Sequence, residues 1–84
     1  MELRMHSQQG DTGTATLKDG ESAEVGQTFC AQRWTADTDS FYLVTAVEGN
    51  QVRLRWDRTW NHAEGRAVSF RPPMSGLTVT RVEP

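Results

Sequence analysis

The sequence predicts an all-β fold: a small single-domain barrel or sandwich of five to seven short antiparallel strands. Three observations carry this expectation. No stretch sustains a helical repeat of apolar residues over three turns, whereas two-residue alternation recurs along the chain. Turn-forming residues such as Asp19-Gly20, Gly49-Asn50 and Pro72-Pro73 separate the alternating stretches. A chain of 84 residues, 36% hydrophobic and 24% charged, has room for one hydrophobic core and no second domain.

Taken in order, residues 1–11 are polar and unpatterned and read as a flexible N-terminal arm, leaving residues 12–84 as the β domain. Thr12 to Lys18 is threonine-rich with Ala15 and Leu17 on one alternation, Asp19-Gly20 suits a tight hairpin turn, and Glu21 to Val25 is the expected return strand. After Gly26, Gln27 to Thr35 reads as a strand with Phe29 and Ala31 on one face and Cys30 and Trp34 on the other. The cluster from Ala36 to Ser40 reads as a turn. Phe41 to Val47 joins β-branched and aromatic residues on both faces, the pattern of a central strand. Beyond the tight connection Glu48-Gly49-Asn50, Gln51 to Trp56 alternates, with Val52, Leu54 and Trp56 on one side and Arg53 and Arg55 on the other. Asp57 to Arg66 lacks periodicity and reads as the longest loop. Ala67 to Arg71 is a strand with Val68 and Phe70 inward, ended by Pro72-Pro73, which cannot donate to a ladder. Met74-Ser75-Gly76 then turns into a last strand, Leu77 to Val82.

Five strands from Gln27 onward, joined by short turns with a proline-marked turn before the last, resemble the strand order of Src-homology-3-like small barrels and their Tudor relatives. A second resemblance lies in Gly20-Glu21, Val25-Gly26 and Val47 with Gly49-Asn50-Gln51-Val52-Arg53. These are similar to the glycine-glutamate turn and valine-rich hairpin of the carbon storage regulator family, small β-dimers that bind messenger RNA. Thr16-Leu17-Lys18-Asp19 stands where that family has a more basic strand, and Pro72-Pro73 follows Arg71 where the family continues toward a helix. The resemblance implies RNA binding as an alternative reading and assigns no site residue.

Composition narrows the chemistry. The single cysteine, Cys30, has no partner for an intrachain disulfide, and one cysteine with two distant histidines matches no zinc-ligand spacing, so no metal or cofactor is expected. The glycines open no phosphate-binding helix. Catalysis would need a pair such as Cys30 and His62; a lone strand cysteine is more often a packed hydrophobe, and the chain is read as no enzyme. The N-terminal residues carry no signal peptide and no stretch is long enough to span a bilayer, so a cytoplasmic protein without a membrane partner is expected. Residues 1–50 hold three basic against eight acidic residues, net −5, and residues 51–84 hold six arginines against three acidic residues, net +3. Eight of the nine basic residues are arginine, which suits bidentate recognition of carboxylate or phosphate.

The remaining concentration is aromatic and cationic: Trp34, Tyr42, Trp56 and Trp60 with the second-half arginines. Tryptophan, tyrosine and arginine dominate protein-protein hot spots, and arginine with aromatics also serves single-stranded nucleic-acid grooves. The expected function is a small non-catalytic binding module contacting a protein partner through Arg53, Arg55, Arg58, Trp60, His62, Arg66 and Arg71. RNA or single-stranded nucleic-acid binding is the first alternative, and an accessory or inhibitor protein of a phage or mobile element the second. Homodimerisation stays open, as does burial of Trp34 and Trp56.

Overall fold

The computed structural model describes residues 1–32 and 37–83. Among them are seven strands and no helix: β1 (Glu2–Gln9), β2 (Thr12–Thr16), β3 (Thr28–Ala31), β4 (Thr38–Glu48), β5 (Gln51–Asn61), β6 (Arg66–Val68) and β7 (Thr78–Arg81). They run antiparallel in the order β2-β1-β7-β3-β4-β5-β6, and β2 also pairs with β5 from Thr12↔Arg55 to Thr16↔Gln51. That pairing closes six strands into a barrel, which removes their free edges, and leaves β6 as an extra strand on the far end of β5. From β3 onward the chain is a meander whose last strand, β7, returns beside the first, the order expected of a Src-homology-3-like arrangement.

The N-terminal residues are a correction to the sequence reading. Glu2–Gln9 is a full strand of the barrel, paired with β2 on one side and β7 on the other, with Leu3 and Met5 buried. Its pattern was hidden for two reasons. A bulge between Met5 and Ser7 reverses the alternation after only two apolar positions, and the next inward side chain is the polar Gln8. Gln8 earns its place by accepting a hydrogen bond from the Met74 amide at 2.8 Å while donating to the Gly10 carbonyl at 2.9 Å. The first hairpin therefore turns at Gly10-Asp11, between Gln9 and Thr12, with Gly10 at φ 59°. Lys18 to Glu21 does turn, closed by the Glu21 amide on the Lys18 carbonyl at 3.0 Å. The expected return strand, Glu21 to Val25, does not form, and Val25 is largely exposed.

β4 and β5, eleven residues each, form the longest unit. At about 3.4 Å per residue they account for most of the 39 Å length of the molecule. Their two-residue connection, Gly49-Asn50, is the tight turn expected. Two other expectations change. Thr38 to Ser40 belongs to β4 and not to a turn, and Asp57 to Asn61 continues β5, so the predicted long loop shrinks to residues 62–65 ahead of β6. Thr38–Phe41, Arg58–Asn61 and Arg66–Val68 form a short three-stranded extension, in which Ser40 and Phe41 still pair with Ala31 and Cys30 of β3. Trp34 and Ala36, the first residue of the expected turn, lie outside the described residues.

Leu3, Met5, Ala15, Phe29, Tyr42, Val44, Val52, Leu54, Met74, Leu77 and Val79 line the barrel core. Trp56 packs half-buried at its margin. Phe70, expected inward on a strand, follows the end of β6 and is 42% exposed, because Ser69 and Phe70 have left the ladder. Pro72 and Met74 are buried as the proline segment crosses to β7. Opposite charges of the two chain halves meet in space: Asp11 pairs with Arg71, and Glu48 with Arg53. Among the described residues no helix is long and apolar enough to cross a membrane.

Candidate functional site

The outer face of β5 is shaped by one extra residue. Tyr42 lies opposite Trp56 and Phe41 opposite Arg58, so Asp57 is bulged out of the ladder. Before it, Val52 and Leu54 point into the barrel and Arg53 and Arg55 point out; after it, Thr59 is buried and Arg58 and Trp60 are exposed. Strict alternation would have placed residues 58 and 60 on the side of Val52 and Leu54. The bulge instead lines up Arg53, Arg55, Arg58 and Trp60 along a single outer row.

β4 supplies the other side of this face. Across from Trp60 lies Asp39, across from Arg58 lies Phe41, and across from Arg55 lies Leu43. The Arg58 guanidinium sits 4.7 Å above the Phe41 ring centre, a cation-π contact that fixes the long side chain over the strand pair. His62 closes the end of the row, its Nε2 2.8 Å from Asp39 Oδ2. A carboxylate can only accept, so this nitrogen carries the proton. Trp60 is 37% exposed at the tip.

Beneath this face is a small hydroxyl network that holds β4 and β5 in register. Ser40 Oγ and Thr59 Oγ1 are 3.0 Å apart and fully buried, and the Trp56 indole donates to Thr59 Oγ1 at 3.0 Å. Trp56 is therefore a structural residue with its polar edge satisfied inside the protein.

Two predicted residues fall elsewhere. Arg66 lies opposite Asn61, on the other side of the extension from Trp60, and its guanidinium is held by Glu64 at 2.8 Å. Arg71 pairs with Asp11 of the first hairpin turn, and its Nε is buried. In their place the fold recruits Asp39, Phe41 and Leu43. Their own strand was legible, but the register that sets them beside the arginines was not.

The nucleophile considered from sequence is poorly set for attack. Cys30 is buried on β3, and desolvation, reinforced by the negative charge of Asp39, pushes its thiol up to about 11. The carboxylate that reaches His62 thus also disfavours the thiolate, the reverse of an activated cysteine. Burial likewise pushes the Tyr42 phenol up to about 12, against the opposing pull of the Ser40 hydroxyl. Among the described residues no three His, Cys, Asp or Glu side chains are grouped so as to hold a metal ion. Comparison of the chain with protein-family models, with curated proteins and with solved structures returns no match.

Proposed function

We propose that this chain is a non-catalytic binding module that holds a protein partner on the outer face of the β4–β5 extension, with Trp60 as anchor and Arg58 beside it. The observation that carries this reading is the Asp57 bulge, which turns an aromatic and a cation outward onto one hydrogen-bonded ladder. The face combines what protein hot spots use: a large aromatic, a guanidinium fixed on Phe41, and an aliphatic neighbour in Leu43. Its charges are mixed. The carboxylates of Asp39 and Asp57 stand beside the cation of Arg58, so a surface with both apolar and paired polar groups suits it better than a continuous polyanion.

The test is affinity capture from the source cells with nuclease present, comparing the native chain with Trp60→Ala, Arg58→Ala and the control Arg4→Ala on the exposed part of β1. A partner held through this face should be lost from the first two and kept by the third. Truncating a hot-spot tryptophan is expected to cost about 2 kcal/mol or more of binding, roughly thirtyfold in affinity. If every captured protein is retained equally by Trp60→Ala, or every one disappears on nuclease treatment, the face is not a protein-binding site.

A further inference from the structure

A second surface, which continues the outer row of β5 from the extension onto the barrel, lies on the wall where β1, β2, β5 and β4 run side by side. It is concave, with a volume of about 910 Å³, and Ser7, Gln9, Thr12, Thr14, Thr45 and Arg53 line it. The concavity has a visible cause. β1 is bulged between Met5 and Ser7, and β4 between Val44 and Ala46. Bulges bend and twist their strands, and these two flank the β2–β5 pair, whose register runs without a bulge.

Strand register organises the wall into two rows of the same chemistry. Ser7 pairs with Thr14 and Thr14 with Arg53; Gln9 pairs with Thr12 and Thr12 with Arg55. Each row therefore runs from a hydroxyl or amide, through a threonine hydroxyl, to a guanidinium. The rows are two residues apart along β5, about 7 Å. No carboxylate lines the concavity, and Ala46 is its one apolar contributor. Arg55 is not part of the concavity's lining and is placed beside it by its pairing with Thr12; it has no ion pair among the described residues. Arg53 meets Glu48 only at 3.5 Å, with both side chains more than half exposed, a contact that a stronger anion can replace.

We propose that this wall binds the backbone of a single-stranded nucleic acid, with successive phosphates seated one per row. Phosphate oxygens accept from guanidinium, hydroxyl and amide donors, the groups each row presents. The row spacing is of the order of the phosphate repeat in an extended strand, and an oligonucleotide crossing β5 would meet both arginines. No aromatic lines the concavity, so the contacts fall on the backbone and bases are not stacked within it. Neutral sugars are a poorer fit for the same reason, since the wall offers cations and no ring to stack on.

The experiment is fluorescence anisotropy with labelled single-stranded DNA and RNA homopolymers of about 12 nucleotides, titrated at low and at physiological salt. Binding should weaken as salt rises. Replacing both cations, Arg53→Gln with Arg55→Gln, should lower affinity about tenfold or more and flatten the log-log salt slope by about 1.4, the share of two phosphate contacts on a single strand. Thr14→Val should weaken binding without changing the slope, and Trp60→Ala should leave it unchanged. The double Lys variant, Arg53→Lys with Arg55→Lys, keeps the charge and should retain the salt slope. Absence of binding at low salt, or binding unaffected by the double Gln variant in a folded protein, overturns the proposal. So does equal competition by a poly-glutamate of the same length, which would make the wall a site for acidic polypeptides. Loss of protein capture by Trp60→Ala concerns the extension and does not bear on this wall.

Discussion

The same two strands, β4 and β5, build both the barrel and the extension, yet the two regions obey different rules. In the barrel, Val44 faces Leu54 and both are fully buried, as are Phe29, Tyr42 and Met74 around them. In the extension the inward positions are Ser40 and Thr59, joined by a hydroxyl contact, and the outward ones are Phe41, Arg58 and Trp60. One bulge separates the regimes. The difference teaches that burial and display are divided along the length of a single hairpin: closure with β2 supplies the packed core at one end, while outward aromatic and cationic side chains gather at the other. Substitutions at the two ends should therefore separate folding from binding.

The largest effect is expected in the barrel. Leu54→Ala removes a fully buried side chain from the centre of the core and should cost about 3 kcal/mol. For a domain of this size that lowers the thermal midpoint by on the order of 15 °C, measurable by circular dichroism. Next comes Gly13→Ala. A glycine-to-alanine change within an ordinary strand usually stabilises, but Gly13 is buried opposite Gln8, and an added Cβ would collide with the Met5 sulfur and press on Met74 at 3.1 Å. A loss of about 1–3 kcal/mol in urea denaturation is expected; a gain would show that the methionines have room to move.

At the boundary between the regions, Thr59→Val strands the Trp56 indole and the Ser40 hydroxyl without their partner and should cost about 1–2 kcal/mol. Alkaline pH discriminates too. Cys30 rises from 9.0 to about 11 and Tyr42 from 10.0 to about 12 on folding. A folded-state pKa above the unfolded one means that the native state holds its proton longer, so this stability is fully present below the unfolded values and is lost as pH climbs through the folded ones. The thermal midpoint should fall between pH 9.0 and about 12, and fall less in Tyr42→Phe. The smallest effect belongs to the extension: Trp60→Ala should change stability by no more than about 0.5 kcal/mol while removing partner binding. A stability loss comparable to that of Leu54→Ala would make Trp60 a core residue and break the division.

Much of the second half of the fold was legible. The alternation of Val52 and Leu54 against Arg53 and Arg55, the Gly49-Asn50 turn, and the doubly apolar Phe41 to Val47 stretch each report a local property that survives in the sheet. β1 was not legible, because its inward positions include Gln8 and its alternation breaks at a bulge. The same device hid the site. Arg58 and Trp60 were nominated for their chemistry, but their placement in a row with Arg53 and Arg55 depends on Asp57 leaving the ladder. That in turn depends on how β4 is packed against β5. Arg66 and Arg71 were nominated on the same chemical grounds, and acidic neighbours supplied by Glu64 and by Asp11, the latter distant in sequence, hold them in other directions.

Sequence by itself determined that the chain is built of antiparallel strands, where its tightest connections fall from Gly49 onward, and which residue types are available for recognition. Tertiary structure alone decided that β2 closes on β5, that the N-terminal segment completes the wall, and which guanidinium groups share a face. The reason is that alternation and turn chemistry act over two to four residues, whereas register between strands is chosen by the collective packing of a core whose members lie far apart in the chain.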